Sequence, residues 1–394
     1  MILAVLILPV AIGLVALAVE GGLWYADRHE LRAIADAGVM AAAYARKDGE
    51  DEAAAALDAG PDVGFDEDTD EIEVQSPPQS GSYEGQDDAI EVIVRRQRPL
   101  LLSTLFLDGQ TIAISMRSVA MLGRLPNPCI EATHSSAPGA ITISGNGQVN
   151  LTGCGLMSDS TSNIAIDLNG GGSLSADYIA AVGNYDQSGS GTLNVADIAM
   201  GTAPLDDPFG DMTVNPPAGC TYNSTWKDSG GHPSPAPQPN NRFCNGMDIN
   251  GTVNLSPGTY YITGGTLNIS SQAKLSGSGV TFVVTGTASV NINGGATVNL
   301  TAPQSGALKG MVFFSTSTDT HPVKFNGGST MKLDGAVYFR NQDLVFNGNN
   351  GTSGGCLRLV ASTISITGAS NMGGACDLYG FPPHGPYDNV KLVE

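Results

Sequence analysis

The residues that could do chemistry are few and scattered. Five histidines, His29, His134, His232, His321 and His384, stand far apart, and none lies at metal-ligand spacing to another. Carboxylates that could pair for general acid–base work are Asp177 with Asp186, or Asp206, Asp207 and Asp211. Acids in such polar loops are ordinarily solvated surface. No serine-hydrolase elbow, phosphate loop, zinc-protease helix or dinucleotide fingerprint occurs. The expectation is therefore no catalytic residue, no metal site and no cofactor. Sequons such as those at Asn150, Asn223 and Asn299 are frequent, as chance predicts in so Asn- and Thr-rich a chain.

Cysteine is the exception. Cys129, Cys154, Cys220, Cys244, Cys356 and Cys376 fall as three sequential pairs with similar short separations, and no CxxC is present. An even count without metal-binding spacing reads as disulfides formed in an oxidising compartment. Nearest-neighbour pairing is the expectation among the many that six cysteines allow. The net charge of -20 and a pI near 4.4 argue against nucleic acid as a partner, because phosphate binding needs clustered Lys and Arg.

These cysteines follow a stretch of a different kind. Residues 1–25, MILAVLILPVAIGLVALAVEGGLWY, carry no charge before Glu20. At about 1.5 Å per residue, the run before Glu20 spans roughly 28 Å as a helix, close to a bilayer's hydrocarbon core. Trp24 and Tyr25 stand where an aromatic belt would meet headgroups. A membrane anchor or the buried stalk of a helix polymer is expected. A secretory signal peptide ending near Ala16-Leu17-Ala18 and a buried core helix are the competing readings. Pro9 does not exclude a helix in lipid. Arg28, Arg32, Arg46 and Lys47 follow the run and no cation precedes it, so a basic leader removed from the precursor is the favoured expectation. The helix should continue to about Lys47. Leu31, Ile34, Gly38 and Ala42 lie on one face at helical spacing, either as a close-packing seam between helices or as a stripe against the next module.

Residues 48–86 contain no Lys or Arg and read as a solvated acidic linker; GFDEDTDE lacks the spacing of a calcium loop. EIEVQ, AIEVIVRR and TIAISMRSVAML then alternate at period two, which predicts strands. Between the last two, RPLLLSTLF reads as a short helix or turn. Arg95, Arg96 and Arg98 are expected to pair with the acidic stretch.

From Cys129 the sequence repeats itself. ITISGNGQVNL from Ile141, VNINGGATVNL from Val290 and VKFNGGSTMKL from Val323 share one pattern: apolar-x-apolar, a Gly/Asn corner, then apolar-x-apolar. Many copies carry a third strand, as in Val280-Thr-Phe-Val-Val. A spacing of about 20–30 residues is that of solenoid rungs, so a parallel β-helix is predicted, ahead of a β-sandwich. Asn and Ser at equivalent positions should stack in ladders. Gly201 to Asn245 reads as a Pro-rich insertion, with Cys220 and Cys244 closing a protruding loop.

Leu8-Pro9-Val10, Gly13-Leu14, Ala18-Val19-Glu20, Trp24-Tyr25, Leu31, Ala35-Asp36-Ala37 and Ala41-Ala42-Ala43 resemble the N-terminal segment of TadG-like proteins of Flp/Tad (tight adherence) pilus assembly. That family usually has aspartate at the Glu20 position and a charged leader ending in Arg-Gly, which is absent here. Cys129-Ile-Glu-Ala, Cys154-Gly, Cys220-Thr-Tyr and Leu255-Ser-Pro-Gly-Thr-Tyr-Tyr-Ile are similar to the family's exported half. The resemblance implies a mainly β protein: a long hydrophobic helix (1–47), an acidic linker and small pilin-like α+β module (48–128), and a disulfide-bonded parallel β-helix (129–394, with the insertion at about 201–245). It implies a structural, non-enzymatic component, inner-membrane anchored and facing the periplasm or part of an extracellular filament. The helix (Leu8, Pro9, Gly13, Glu20, Trp24, Tyr25, Gly38, Ala42) would engage membrane or copies of itself. Other pilus-system proteins, and surface glycans for adhesion, are the implied partners. The alternative is a membrane-tethered carbohydrate-active or carbohydrate-binding β-helix. A convergent Asp/Arg/Lys cluster on a solenoid face would favour that alternative; a plain ladder of Asn, Ser and Thr would favour the first.

Overall fold

The structure, a computed structural model, describes residues 2–100, 111–228, 236–326, 331–347, 350–351 and 355–394; on the first helix, side chains are described at Gly13, Val15 and from Ala18 onward. RPLLLSTLF therefore lies mostly outside the described residues. The chain divides into two compact units, residues 1–123 with 387–394, and residues 124–386.

In the first unit, α1 (Ile2–Asp48) runs unbroken through Pro9, and α2 (Glu52–Ala59) follows. Asp51 caps α2 by accepting from the Ala54 amide at 2.7 Å, which satisfies one donor its first turn leaves free. Strands β1 (Asp70–Gln75), β2 (Ala89–Pro99) and β3 (Thr111–Arg124) form an antiparallel sheet, and the C-terminal strand Tyr387–Leu392 extends it beside β3. Leu31, Ile34, Ala35, Val39, Ala42 and Ala43 of α1 bury against Val92, Val94, Ala120 and Leu122 of the sheet. The stretch read as an acidic linker is thus largely folded, because Ala56 and Ile72 have an apolar face to cover.

A buried ion cluster ties helix to sheet. Arg96 Nε meets Asp70 at 2.5 Å and its Nη1 meets Asp27 of α1 at 3.2 Å; Arg98 meets Asp27 at 2.7 Å. The Arg98 hydrogen bond, helped by Arg96, holds the Asp27 carboxyl below its usual range. Arg95 pairs with Glu73 at 2.5 Å. Arg95 and Arg96 do meet the acidic stretch, whereas Arg98 meets Asp27 of α1, which Arg96 reaches as well.

The second unit is a parallel β-solenoid with three strands per rung. One face has ten strands. In spatial order they begin Tyr185–Asp186, Ile166–Leu168, Ile141–Ser144, then Ile364–Thr367, and continue down to Trp226–Lys227. The order is not that of the chain. The chain starts in the middle at Cys129, winds outward to Met200, crosses to the far end, and winds back until Ile364 pairs with Ile141. The rung holding Ile364–Thr367 and Ser370–Gly373 receives its third strand from Ile130–Ala132: all three pair with the next rung at Ile141, Val149 and Leu156. This rung is a seam made from both ends of the solenoid.

The disulfides pair as the spacing predicts, and they sit where the spiral's backbone is interrupted. Cys129–Cys154 ties the incoming end to the rung on one side, with Cα atoms 5.7 Å apart. Cys356–Cys376 ties the outgoing end to the rung on the other, at 4.7 Å. Cys220–Cys244 staples the far terminal rung, where Tyr222 bridges Phe243. Closing chain segments of this length removes roughly 3 kcal/mol of unfolded-state freedom each.

Inward residues alternate along each strand and stack between rungs. Val290 and Ile292 lie over Leu267 and Ile269, and an aromatic column runs Phe282, Phe313, Phe325, Phe346 with centroids 5.2–6.2 Å apart. Outward residues form the expected ladders, such as Asn268–Asn291 at 3.0 Å, Asn326–Asn347 at 2.8 Å and Asn150–Asn371 at 2.8 Å. Glycine corners arise in two ways. Gly145 takes φ 88°, whereas Gly170 and Gly172 are needed for close approach: a Cβ there would lie 2.1 Å from Gly145 O and 2.0 Å from Gly147 O. Asparagine seldom supplies the corner conformation; among described non-glycine residues only Asn240 has positive φ.

The segment read as an insertion does two jobs. Its second half forms the end rung, with strands at Trp226–Lys227 and Arg242–Phe243. Its first half is a strap along the outside of one face. Leu205 donates to Asp159 at 3.0 Å, Asp207 accepts from Tyr338 at 2.7 Å, Phe209 packs with Met311, Phe314 and Tyr338, and Pro217 accepts from Arg242 at 3.1 Å. The strands beneath are buried on both sides, which is why Val280–Val284 and Met311–Ser315 read as continuous apolar runs.

Two outcomes follow. Ile292→Asp puts an unpaired carboxylate between Ile269 and the rungs above it, at a cost of several kcal/mol; thermal melting and limited proteolysis should show a large loss, and an unchanged melt would mean the register is wrong. Arg96→Met leaves Asp70 and Asp27 buried without their shared cation, costing about 3–5 kcal/mol; hydrogen exchange should rise in β1 and α1 while the solenoid amides stay protected.

Candidate functional site

Two places could carry function: the free part of α1 and the strap-covered face of the solenoid. On α1, Val15, Val19 and Leu23 recur every fourth residue and are 63%, 53% and 49% exposed, a stripe that the first unit leaves uncovered. Tyr25 is exposed and packs edge-on against His29, ring centroids 4.5 Å apart. Trp24 is half-buried and Glu20 buried. Leu8 and Pro9 have side chains outside those described. Among the described residues, no helix is long and apolar enough to cross a membrane. The small-residue face is occupied within the chain: Ala42 is buried, and Gly38 lies so near Ile72 and Val92 that a Cβ would sit 3.4 Å from each. Of the two readings of that face, the structure supplies the stripe packed on the next module.

On the solenoid, the strap gathers charged groups from distant rungs. A cleft of about 530 Å³ is bordered by Thr133, His134, Asp159, Asp207 and Arg340. Asp207 accepts from Tyr338 Oη and meets Arg340 Nε at 3.2 Å. Asp159 is pushed up to about 7 by burial, against the Leu205 amide hydrogen bond, with Glu131 and Asp207 adding repulsion. Beside it, Glu131 is fully buried between Arg358 at 3.3 Å and His384 at 3.1 Å. Arg358 also lies 5.5 Å from the Phe209 ring centroid and 5.4 Å from that of Phe381. Burial lowers its pKa while Glu131 opposes the shift.

Of the acids singled out in sequence, Asp207 enters this cluster; Asp206 borders the cleft but is exposed, and Asp211 is exposed on the strap. Asp177 and Asp186 do not form a pair: Asp186 lies in the ten-stranded face beside Asp167, and Asp177 stands exposed within the strand Ser173–Ala181 of another face. His134 borders the cleft, His384 holds Glu131, and His321 pairs with its neighbour Asp319 at 2.5 Å. His232 is outside the described residues. Among the described residues, no three His, Cys, Asp or Glu side chains are grouped to hold a metal ion. Asp159, Glu131 and Arg358 escaped the sequence reading because no local pattern joins them; Arg358 and Glu131 are 227 positions apart.

The cluster has one clear chemical consequence. Folding raises the Asp159 carboxyl above its ordinary value, so the folded chain holds a proton there that the unfolded chain releases. Stability is then fully present below about pH 4 and falls as pH rises toward about 7. Asp159→Asn should stabilise the fold at pH 8 by on the order of a few kcal/mol, seen as a higher melting temperature, and change little at pH 4. Parallel melts of the two proteins across that range check it; equal curves at pH 8 would contradict it.

No curated protein and no solved structure matches the chain. Its N-terminal segment does match a known family: residues 1–46 carry the Tad domain, described as Flp pilus-assembly TadE/G-like.

Proposed function

We propose that this chain is a structural, non-enzymatic component of a Tad-type pilus system, with α1 engaging membrane or neighbouring subunits and the β-solenoid displayed outward. The Tad domain at residues 1–46 gives it a pilus-related role, and this is the observation that carries the reading. The disulfides fit export to an oxidising compartment. Among the described side chains of α1, the Val15–Val19–Leu23 stripe is an apolar surface that the first unit leaves exposed. The ladders of Asn, Ser and Thr suit a neutral surface on a displayed rod, with adhesion to surface glycans as its candidate task.

A second reading has a specific observation behind it. The Asp159–Asp207–Arg340 cleft is a convergent charged cluster on a solenoid face, which fits a carbohydrate-binding or carbohydrate-active surface. Its cleft-bordering residues include no aromatic platform on which a sugar ring would stack, so the structural reading is preferred.

Replacing Val15, Val19 and Leu23 together by Ser should leave an exported, disulfide-bonded, protease-resistant solenoid. It should deplete the chain at least about tenfold from both the membrane and the sheared-filament fractions, since each exposed aliphatic buried on assembly is worth roughly 1.5–3 kcal/mol. Unchanged fractionation would place the assembly contacts elsewhere. Release of reducing sugars from polysaccharide, abolished by Asp207→Asn, would instead favour the second reading.

A further inference from the structure

The solenoid ends differently on its two sides. At the Trp226 end, Tyr222 stacks on Phe243 with centroids 4.9 Å apart, and Cys220–Cys244 closes the turn. At the other end, the last rung is Tyr185–Asp186 and the nine-residue strand Thr192–Met200. Among the described residues, both are paired on one side only. Leu193 lies over Leu174, Val195 over Ala176, Ile198 over Ile179 and Met200 over Ala181. The lower member of each pair is buried, whereas Ile198 is 43% exposed and the other three are half-buried. The hydrophobic core therefore reaches solvent here in cross-section, framed by open strand edges. The Thr192 amide bonds inward to Gly172, so by strand alternation the backbone groups of Leu193 and Val195 point to the open side. Terminal rungs of solenoids ordinarily need a polar cap, and a long, uncovered edge is a template for another strand.

Charge says what kind of strand fits. Residues 125–200, the arm that winds to this end, contain no Lys or Arg but six acids, Asp186 and Asp197 among them on the end rung itself. Residues 227–386 carry eight Lys and Arg against six acids. The open end thus belongs to a uniformly anionic part of the solenoid. A second copy meeting it end to end would bring two such parts together.

We propose that the Tyr185–Met200 end is a docking edge for an extended segment of a partner protein, with alternating apolar residues and Lys or Arg, added as the next rung alongside Thr192–Met200. Its apolar side chains continue the Leu193, Val195 and Ile198 columns, its backbone takes up the open edge, and its cations face Asp197, with Asp186 on the ten-stranded face of the same rung adding to the negative charge. The inference uses only the solenoid's geometry and charge, so its failure leaves the pilus reading standing.

The test uses the full chain in detergent micelles, with hydrogen exchange read at Thr192–Met200. The probes are a ten-residue Val/Lys alternating peptide, its Val/Glu counterpart and a scrambled Val/Lys peptide. The Val/Lys peptide should slow exchange at Leu193 and Val195 at least about fivefold, with protection weakening in added salt. Asp186→Lys with Asp197→Lys, checked for intact folding by melting and proteolysis, should lose that protection and gain it from the Val/Glu peptide. Val195→Pro, which removes an open-side amide, should lose protection from both. Equal effects of the two peptides, no protection at millimolar peptide, or indifference to the charge reversal would each overturn the proposal. Protection that appears without peptide and rises with protein concentration would assign the edge to a second copy, and would overturn it as well.

Discussion

The structure depends on one pairing: Ile141–Ser144 beside Ile364–Thr367, where the two ends of the solenoid meet. In a stack of rungs each layer is stabilised only by its neighbours. A layer assembled from two distant stretches of chain is where such a stack should fail first, because no backbone holds it closed. Here that layer is flanked by disulfides on both sides, and the strap crosses the outside of a different face, the one that holds Ile130–Ala132 and Leu357–Ala361, through Leu205, Asp207 and Phe209. The outer arm, the long return arm and the adjacency of residues 124 and 386, where Leu125 bonds to Pro386 at 2.9 Å, all follow from that seam. Because the solenoid starts and stops in one place, the chain can carry it as an insertion between two segments of the first unit, residues 1–123 and 387–394.

Much of this was legible from sequence. The rungs could be read because their signals are local: period-two alternation puts Val290 and Ile292 inward, and glycine marks the corners. The cysteine pairs could be read because each spans one rung. Rung order could not. Pairing Ile364 with Ile141, rather than with some later strand, is a choice among near-identical copies, and none of them carries an address. The strap was misread as part of a protruding insertion for a related reason. Its Pro-rich sequence looks loop-like, and only the unalternated apolar strands Val280–Val284 and Met311–Ser315 hinted that something must cover them. Residues 48–86 looked like a solvated linker because charge dominates their composition, yet Ala56, Ile72 and the Asp70–Arg96 pair decide their structure.

The candidate sites divide in the same way. The helix residues could be named from sequence because apolar runs and small-residue spacing are visible along one element. The cluster of Glu131, Asp159, Asp207, Arg340 and Arg358 was not, since each member comes from a different rung or from the strap. Desolvation, which no linear pattern reports, is what raises the Asp159 carboxyl. Elsewhere the solenoid surface is nearly free of such tension. Asn, Ser and Thr on adjacent rungs satisfy one another, as Asn150 does with Asn371 and Ser144 with Thr367 at 2.9 Å, so the polar coat is bonded laterally rather than waiting for a partner.

The seam also decides how the solenoid meets mechanical load. Tension carried from the first unit enters at residues 124 and 386, in the middle of the stack rather than at an end. A spiral pulled by its end strand peels one rung at a time, each yielding at low force. Pulled at the seam, the strands on either side cannot peel, because Cys129–Cys154 and Cys356–Cys376 route the tension across to the neighbouring rungs within a few residues of each attachment. The open ends then carry no covalent traction from this linkage. Under a pull between residues 124 and 386, this layout turns an easily unravelled spiral into a clamp gripped at its waist.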